Sequence, residues 1–359
     1  MRDVSGGNPK LPQSEYLTTG KLPVVDQGQS FVAGYTNDET YKFRSEQLPV
    51  VVFGDHTKAV KFVDFPFVMG ADGVKVLKPK DGCDAKYLYH FLRHAKLPDA
   101  GYSRHFKFLK ELKLPLPTLV EQRRIAAILD KADALRAKRR EAIAKLDQLQ
   151  QSVFVDTFGD PVKNSRGWPI HRICDLLESV KYGSSAKASL EGDVPILRMN
   201  NLTYSGEMDL DDLKYITTGQ AEEKYLVKSG DILFNRTNSK ELVGKTAVYD
   251  GPTPMAYAGY LVRGRVLEGH VPEYISAFLN SLWGKAILRN MCKNIVGMAN
   301  INAKEFGSIE LPVPPTHLQV RFQKSVQSIR EQKSTLQRHA TQLDTLFASL
   351  QHRAFSGTL

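Results

Sequence analysis

The sequence predicts an α+β protein: two mixed α/β globules separated by two long helices, which pack as an antiparallel coiled coil with a pseudo-twofold internal repeat. Three observations support this fold class. A Leu-Pro-x-Pro stretch occurs at 114–117 and again, 197 residues later, at 311–314. Each stretch precedes a segment, 118–158 or 316–355, that lacks proline and glycine and therefore favours a helix. The rest of the chain mixes β-branched and aromatic runs with turn residues, which is typical of strands.

The two helical segments match each other without a gap. Several positions separated by the same 197 residues carry identical side chains. The identical pairs are Gln122 and Gln319, Arg124 and Arg321, Leu146-Asp147 and Leu343-Asp344, Leu149 and Leu346, Ser152 and Ser349, and Phe158 and Phe355. The globular segments diverge, so the pattern indicates one duplicated scaffold that carries two different binding surfaces.

The apolar spacing in both helices indicates a coiled coil. The predicted a positions are Ile125, Ala132, Arg139, Leu146 and Val153, then Phe322, Ile329, Leu336, Leu343 and Leu350. The predicted d positions are Ile128, Leu135, Ala142 and Leu149, then Ser325, Gln332, His339 and Leu346, and the second set is weaker. A pseudo-twofold axis across the helices makes them antiparallel. About forty residues at ~1.5 Å per residue give a spacer of roughly 60 Å between the two globules.

Apolar residues also occupy e positions of these heptads, where a two-helix seam does not require them. They are Leu129, Ile143, Val326 and Phe347. Two explanations stay open: these side chains pack on the globules of the same chain, or some of them form a surface for a partner protein.

Composition excludes several classes of protein. The 359 residues suffice for two or three domains, and the apolar share of 42% excludes a wholly disordered chain. No apolar run approaches the length of a membrane span, and the N-terminus lacks the apolar segment of a secretory signal. Cys83, Cys174 and Cys292 are widely spaced, which argues against a disulfide framework or a zinc site and favours a cytoplasmic protein. A net charge of +10 fits a polyanionic partner such as nucleic acid.

The segment 114–125 (Leu-Pro-Leu-Pro-Thr-Leu-Val-Glu-Gln-Arg-Arg-Ile) resembles the start of the conserved helix in specificity (S) subunits of type I restriction–modification systems. Other segments with this resemblance are 311–319, Gly-Asp-His-Thr at 54–57, Arg-Thr-Asn-Ser at 236–239 and Val-Gly-Lys at 243–245. The resemblance covers essentially the whole chain in the family's domain order. It implies a first target-recognition domain at 1–113, a first conserved helical spacer at 114–159, a second target-recognition domain at 160–310 and a second spacer at 311–359.

The resemblance implies a role in recognition without catalysis. Subunits of this family bind a bipartite, asymmetric site in double-stranded DNA, one half per recognition domain. They recruit two modification (methyltransferase) subunits, which methylate DNA, and restriction subunits, which translocate and cleave it. S-adenosylmethionine, ATP and Mg²⁺ are then expected in the partner subunits, while this chain is expected to hold no cofactor or metal and to contact no membrane.

Polar segments beside apolar strands are the candidate DNA contacts, expected in loops at strand ends. Arginine pairs with guanine and asparagine with adenine, whereas lysine, serine and threonine suit phosphates. The candidate residues are His56, Thr57, Lys58, Tyr102, Arg104, His105, Lys107, Lys181, Tyr182, Ser184, Arg198, Asn200, Arg236, Asn238 and Lys240. Ordinary solvated turns are the alternative explanation for each segment.

Two other functions remain open at this point. One is a stand-alone enzyme that modifies nucleic acid at an unrecognised site. No Asn/Asp-Pro-Pro-Tyr/Phe motif, dinucleotide fingerprint or Walker lysine loop supports it. The other is a coiled-coil scaffold without DNA binding, which would not show the steep salt dependence of a DNA complex.

Overall fold

The computed structural model describes residues 1–70, 72–98, 101, 103–295 and 298–359. The chain forms two compact units. Unit 1 consists of Met1–Arg140 and Arg338–Leu359, and unit 2 consists of Glu141–Gln337. Each unit contains one globular region and a segment of each long helix.

Unit 1 is built on two sheets. Its elements are β1 (Arg2–Asp3), β2 (Leu22–Val25), β3 (Gly34–Thr36), β4 (Val50–Gly54), β5 (Val60–Val63), β6 (Val68–Met69), β7 (Val74–Lys78), α1 (Ala85–His94), α2 (Phe106–Leu109) and the start of α3 (Leu119–Phe158). One sheet has the order β1-β7-β4-β5 with antiparallel neighbours throughout. The other has the order β3-β2-β6, in which β2 is antiparallel to β3 and parallel to β6.

Strand β4 lies in the core of unit 1 because both of its faces are covered. Val50 and Val52 pack with Phe43 on one face. Val51 and Phe53 pack on the other face against apolar residues of α1. A strand buried on both faces needs a continuous apolar run rather than an alternating one, and this explains the sequence of β4.

Unit 2 repeats this plan with additions. Its elements are β8 (Ile170–Arg172), β9 (Leu177–Tyr182), β10 (Val194–Leu197), β11 (Lys214–Ile216), β12 (Leu226–Val227), β13 (Ile232–Asn235), β14 (Thr237–Asn238), β15 (Thr246–Val248), β16 (Met255–Tyr257), β17 (Leu261–Val266), α4 (Pro272–Asn280), α5 (Leu282–Met291), β18 (Lys293–Ile295), β19 (Met298–Asn300), α6 (Ala303–Gly307), β20 (Glu310–Pro312) and the start of α7 (Thr316–Ser356). The antiparallel sheet β9-β17-β13-β15 corresponds to β1-β7-β4-β5. Strands β11-β10-β16 correspond to β3-β2-β6, with the same parallel pair at the same place. The duplication seen in the helical sequences therefore extends to the strand order of both globular regions.

Helices α3 and α7 confirm the two long helices predicted from the segments without proline or glycine. Helix α3 ends before Gly159, which has a φ of 81° and donates its N–H to the Val155 carbonyl (2.7 Å). Glycine favours this left-handed conformation, and it ends the helix here.

Within unit 1 the segments of α3 and α7 are antiparallel. Arg124, near the start of α3, donates from Nη2 to the carbonyl of Leu359, beyond the end of α7 (3.1 Å). Arg136, further along α3, donates from Nε to Oδ1 of Asp344, which comes earlier in α7 (2.5 Å). The antiparallel pairing predicted for the helices is confirmed in this unit.

Within unit 2 the two segments are also antiparallel. The Lys333 amine lies 2.6 Å from Oδ1 of Asp147. The rings of Phe158, at the end of α3, and Phe322, near the start of α7, are 5.1 Å apart. Later residues of α3 thus meet earlier residues of α7.

The buried stripe of each helix differs from the predicted a and d positions. Phe322 and Ile125 at position a are buried as predicted. However, the d residues Leu135, Leu149 and Leu346 are 48%, 45% and 50% exposed.

Three of the four apolar e residues are buried instead, and the fourth, Ile143, is half-buried. Leu129 is 0%, Val326 1% and Phe347 4% exposed. Leu129 and Phe347 belong to one cluster with Tyr87 of α1, and Val326 belongs to a cluster with Tyr274 of α4. Each long helix covers a globular helix as well as the other long helix, and this rotates its buried face toward position e. The apolar e residues Leu129, Val326 and Phe347 therefore pack on their own unit and are not a partner surface.

A buried glutamine joins α3 to the globular region of unit 1. Oε1 of Gln122 accepts the N–H of Asp84, the residue that caps α1 (2.8 Å). Its Nε2 donates to the carbonyls of Gly82 (2.9 Å) and Pro117 (2.8 Å). The side chain is fully buried, so all three backbone groups depend on it.

Gln319 makes the equivalent junction in unit 2. Its Oε1 accepts the N–H of Val271, the residue before α4 (3.0 Å), and its Nε2 donates to the carbonyl of Pro314 (2.7 Å). Gln319 and Pro314 follow Gln122 and Pro117 by the repeat interval of 197 residues. The repeat thus preserves individual hydrogen bonds.

We expect Gln122→Ala to lower the free energy of unfolding by about 2–4 kcal/mol, because it leaves buried backbone groups without partners and opens a cavity. Urea unfolding followed by circular dichroism measures this change. Gln148→Ala, at an exposed position of α3, is the matched control and should change stability by less than about 0.5 kcal/mol. Equal stability of the two variants would contradict the role of the Gln122 junction.

Unit 1 also contains a buried histidine. His90 of α1 is 0% exposed, and its Nε2 lies 2.8 Å from Oδ1 of Asp130 in α3. Burial lowers the pKa of His90 below its ordinary value, and although Asp130 acts in the opposite direction, burial is the larger effect. Arg93 and Asp133 are the other charged groups near the ring.

A lowered pKa in the folded state means that the unfolded chain binds more protons below about pH 6.5. The contribution of His90 to stability is therefore present above that pH and is lost as the pH falls. We expect His90→Gln to show a weaker decrease in unfolding free energy between pH 7 and pH 5 than the wild-type chain. Urea titrations at pH 5, 6 and 7 give the unfolding free energy of each chain. An equal change of this free energy with pH in the two chains would contradict the assignment.

Candidate nucleic-acid interface

Asp55 joins the predicted contact segment 54–58 of unit 1 to the described residues, 103–107, of a second predicted segment, 102–107. Oδ1 of Asp55 accepts the N–H of Phe106 (2.8 Å). Its carbonyl accepts the N–H of His105 (2.8 Å) and lies 3.0 Å from Nδ1 of the same residue. The first segment follows β4 and the second leads into α2, so residues far apart in sequence form one surface cluster.

The side chains of this cluster differ in exposure. Thr57, Arg104 and Lys107 are exposed, while His56 and Lys58 are half-buried. The Thr57 hydroxyl donates to the carbonyl of Gln27, which brings a third segment, after β2, into the cluster. Cations and hydroxyls grouped in this way suit phosphate oxygens.

Two predicted contacts are buried and take structural roles instead. His105 is 1% exposed, and its ring holds the carbonyl of Asp55. Ser184 is 5% exposed, and its Oγ accepts the N–H of Ala186 (3.1 Å). Sequence cannot distinguish a polar side chain that contacts a ligand from one that holds its own loop. Tyr102, another predicted contact, lies outside the described residues.

Tyr182 and Arg236 form the centre of the candidate surface in unit 2. The Arg236 guanidinium lies over the Tyr182 ring, 5.1 Å from its centroid, and donates from Nη1 to the carbonyl of Gly259 (3.3 Å). The Tyr182 hydroxyl accepts the N–H of Ala303 (2.9 Å). Tyr260, whose carbonyl accepts the Arg236 N–H (3.0 Å), is 53% exposed beside them and was missed by the sequence analysis.

Strands, rather than the predicted loops, hold several of these residues. Lys181 and Tyr182 are the last two residues of β9 and pair with β17. Asn238 lies in β14 and pairs with Ala299 of β19, whereas Lys240 is exposed just beyond β14. Strand pairing limits the motion of these side chains, which favours a rigid contact surface.

The turn after β10 contributes a second group of polar residues. Asn200 is exposed, and Met199 accepts a hydrogen bond at Sδ from Nδ2 of Asn238 (3.6 Å), which joins this turn to β14. Arg198 donates from Nη2 to the carboxylate and the carbonyl of Asp212, both at 2.9 Å. This bond lowers the pKa of Asp212 and holds Arg198 within its own loop.

The close approach of two strand ends requires glycine at 183. A Cβ there would lie 2.3 Å from the carbonyl oxygens of Tyr257 and Ala258, at the end of β16. Gly183 thus allows the residues after β9 to lie against β16 and brings the two groups of polar residues in unit 2 together.

Two buried lysines were missed by the sequence analysis. Lys61 of β5 donates to the carbonyls of Asp26 (2.8 Å) and Ser30 (2.6 Å), and Lys245 donates to those of Met199 (2.8 Å) and Leu202 (2.6 Å). Burial lowers the pKa of both amines. Strand β5 (Val-Lys-Phe-Val) carries a single polar residue, and no sequence pattern indicated the role of Lys61.

Other kinds of site find no support in the described part of the chain. It contains no group of three or more His, Cys, Asp and Glu placed to hold a metal ion. Among its helices, none combines the length and the apolarity needed to cross a membrane.

A family model described as "Type I restriction modification DNA specificity domain" matches residues 3–146 and 166–342. The chain belongs to this family. The two matches follow the duplication described above, one for each half of the chain. Membership in the specificity family makes this chain a non-catalytic subunit and confirms the resemblance carried by the repeated Leu-Pro-x-Pro segments.

Two relatives agree with this assignment, and a solved structure agrees with the fold. The chain is 24% identical over 316 residues to the type I restriction enzyme EcoKI specificity subunit of Escherichia coli K12, covering 79% of this chain and 68% of that protein. It is 25% identical over 333 residues to the EcoR124I/EcoR124II specificity subunit of Escherichia coli, covering 86% and 79%. The crystal structure of a type I S subunit from M. genitalium superposes with a TM-score of 0.62 at 16% identity over 97% of this chain and 92% of that one. At 16% identity this similarity supports the fold alone, and it confirms the predicted α+β fold class.

Proposed function

We propose that this specificity subunit binds a bipartite, asymmetric site in double-stranded DNA, with one half of the site bound by each unit. The observation that carries the proposal is the combination of a repeated scaffold with different surface side chains. The two main sheets of unit 1 recur in unit 2 with corresponding strand orders, yet unit 1 presents Thr57, Arg104 and Lys107 and unit 2 presents Tyr182 and Arg236. Two corresponding scaffolds with different surface residues suit two unequal half-sites.

In this proposal Arg236 is the strongest candidate for a base contact in unit 2. Its guanidinium lies over the Tyr182 ring and donates at one end to the Gly259 carbonyl. A planar donor that is already oriented loses little freedom when it pairs with O6 and N7 of guanine. The exposed lysines Lys181 and Lys240 suit neighbouring phosphates.

The test is selection of bound duplexes from random-sequence DNA by the full chain, followed by sequencing. The wild-type chain should enrich two short motifs separated by a fixed gap, and affinity should fall steeply with salt. Arg236→Ala should relax one or two positions of a single half-site and weaken binding about 5- to 150-fold, because one bidentate contact is worth about 1–3 kcal/mol. Arg172→Ala, which removes the same charge at an exposed position of β8, is the matched control. Absence of any enriched motif would contradict the proposal.

The same proposal assigns the recruitment of two methyltransferase subunits to the exposed d positions of the long helices. Leu149 in unit 2 and Leu346 in unit 1 are equivalent in the repeat and remain about half exposed, although they are large and apolar. One such residue in each unit suits two copies of one partner. The partners would supply S-adenosylmethionine for methylation, and restriction subunits would supply ATP- and Mg²⁺-dependent cleavage.

We expect Leu149→Glu and Leu346→Glu each to reduce the complex from two methyltransferase subunits to one, because a charge enters an apolar contact. The double substitution should leave the chain without either copy. Leu190→Glu, at an exposed loop position of unit 2, is the control. Light scattering of the co-purified complexes gives the stoichiometry, and an undiminished 2:1 complex in the double variant would refute this assignment.

A further inference from the structure

Residues 26–31, which follow β2 in unit 1, are absent from the predicted contact segments. Their place in the fold is the same as that of 198–201 in unit 2. Strand β2 lies between an antiparallel and a parallel neighbour, and so does β10, which leads into 198–201. The second segment includes the candidate contact Asn200, so the first occupies an equivalent position on its own unit.

A buried lysine fixes each of these two segments. Lys61 comes from β5, and Lys245 immediately precedes β15, the strand that corresponds to β5. In unit 1 the Lys61 amine donates to the carbonyls of Asp26 and Ser30. In unit 2 the Lys245 amine donates to the carbonyl of Met199 and to that of Leu202, the residue after the segment. The Lys61 amine also lies 3.6 Å from the Asp26 carboxylate, and both groups are largely buried. Burying a charged amine is costly, so its presence in both units indicates that the backbone path of these segments is tightly set.

Residues 26–31 also belong to the contact cluster of unit 1. Gln27 accepts the Thr57 hydroxyl at its carbonyl and the His56 N–H at Oε1 (3.4 Å). Gly73, with a φ of 86°, leaves the space that the Gln27 amide occupies, since a Cβ there would lie 2.5 Å from Oε1. In unit 2 the corresponding link is the hydrogen bond from Asn238 of β14 to Met199 in the turn after β10.

The outer residues of the segment are available to a ligand. Gln29 and Ser30 are exposed, and the Phe31 ring is 48% exposed. Gln29 and Lys58 line the same open cavity of about 470 Å³. A glutamine amide can bond N6 and N7 of adenine in a bidentate way, and an apolar ring suits a thymine methyl group.

We propose that residues 26–31 form a DNA-recognition loop of unit 1, in which Gln29 contacts bases and Lys61 is the positioning residue that holds the loop. The inference rests on the proposed function, because it requires unit 1 to bind a half-site. Lys245 has the corresponding positioning role for residues 198–201 in unit 2.

The experiment is the same selection from random-sequence DNA, carried out with full-length variants. Gln29→Ala should relax one or two base positions in one half-site and weaken binding about 5- to 150-fold, while the other half-site stays as in the wild type. The relaxed half must be the one that Arg236→Ala leaves intact. Gln342→Ala, an exposed glutamine of α7 in the same unit, is the matched control.

Lys61→Met and Lys245→Met test the positioning role, with thermal unfolding of each variant measured in parallel. Each should weaken or relax its own half-site only, a pattern that a general loss of stability would not produce. If Lys61→Met fails to fold, Gln29→Ala alone decides the proposal, because its side chain is exposed.

A wild-type chain that enriches no motif overturns the proposed function. A wild-type chain that enriches both halves, together with a Gln29→Ala variant that retains them unchanged, overturns the recognition loop alone.

Discussion

The architecture depends on one repeated contact between a long helix and a globular helix. In unit 1 the Tyr87 hydroxyl donates to the Pro115 carbonyl (3.0 Å), and the Phe355 ring lies 5.4 Å from the Tyr87 ring. In unit 2 Tyr274 donates to the Pro312 carbonyl and packs against Phe158 (4.7 Å). Pro115 and Pro312 are 197 residues apart in the sequence, and so are Phe158 and Phe355. Together with the buried glutamines, these contacts fix the start of one long helix, the end of the other and the globular helix at one point.

This junction also explains which part of the helical prediction succeeded. The sequence supplied the existence, the length and the antiparallel pairing of α3 and α7, because the absence of proline and glycine and the offset of 197 residues depend on the chain alone. The prediction of buried leucines at the d positions was wrong, since heptad analysis assumes that only the second helix needs to be covered. Tyr87 and Tyr274 form a third layer, and Leu129 and Val326 turn toward it. Because this third layer comes from residues distant in the sequence, the heptad spacing of apolar residues within each helix cannot predict it.

The candidate surface was predictable to the level of segments but not of side chains. Polar residues after apolar strands did converge, as the contacts of Asp55 and of Arg236 with Tyr182 show. Whether a polar side chain faces outward depends on the hydrogen-bond partners that the fold places near it. For His105 that partner is the carbonyl of Asp55. The sequence analysis assigned no role to Lys61, whose side chain is buried and donates to two carbonyls.

Buried lysines and exposed polar side chains therefore have separate roles in this chain. Lys61 and Lys245 bond backbone carbonyls, and such bonds do not depend on the side chains that the segment carries. The outward side chains of 26–31 and 198–201 can consequently differ between the units without disturbing the support beneath them. A scaffold held by main-chain contacts tolerates new contact residues at little cost to stability, whereas one held by side-chain contacts would not. This separation accounts for a duplication that preserves Gln122 and Gln319 while the surface segments diverge.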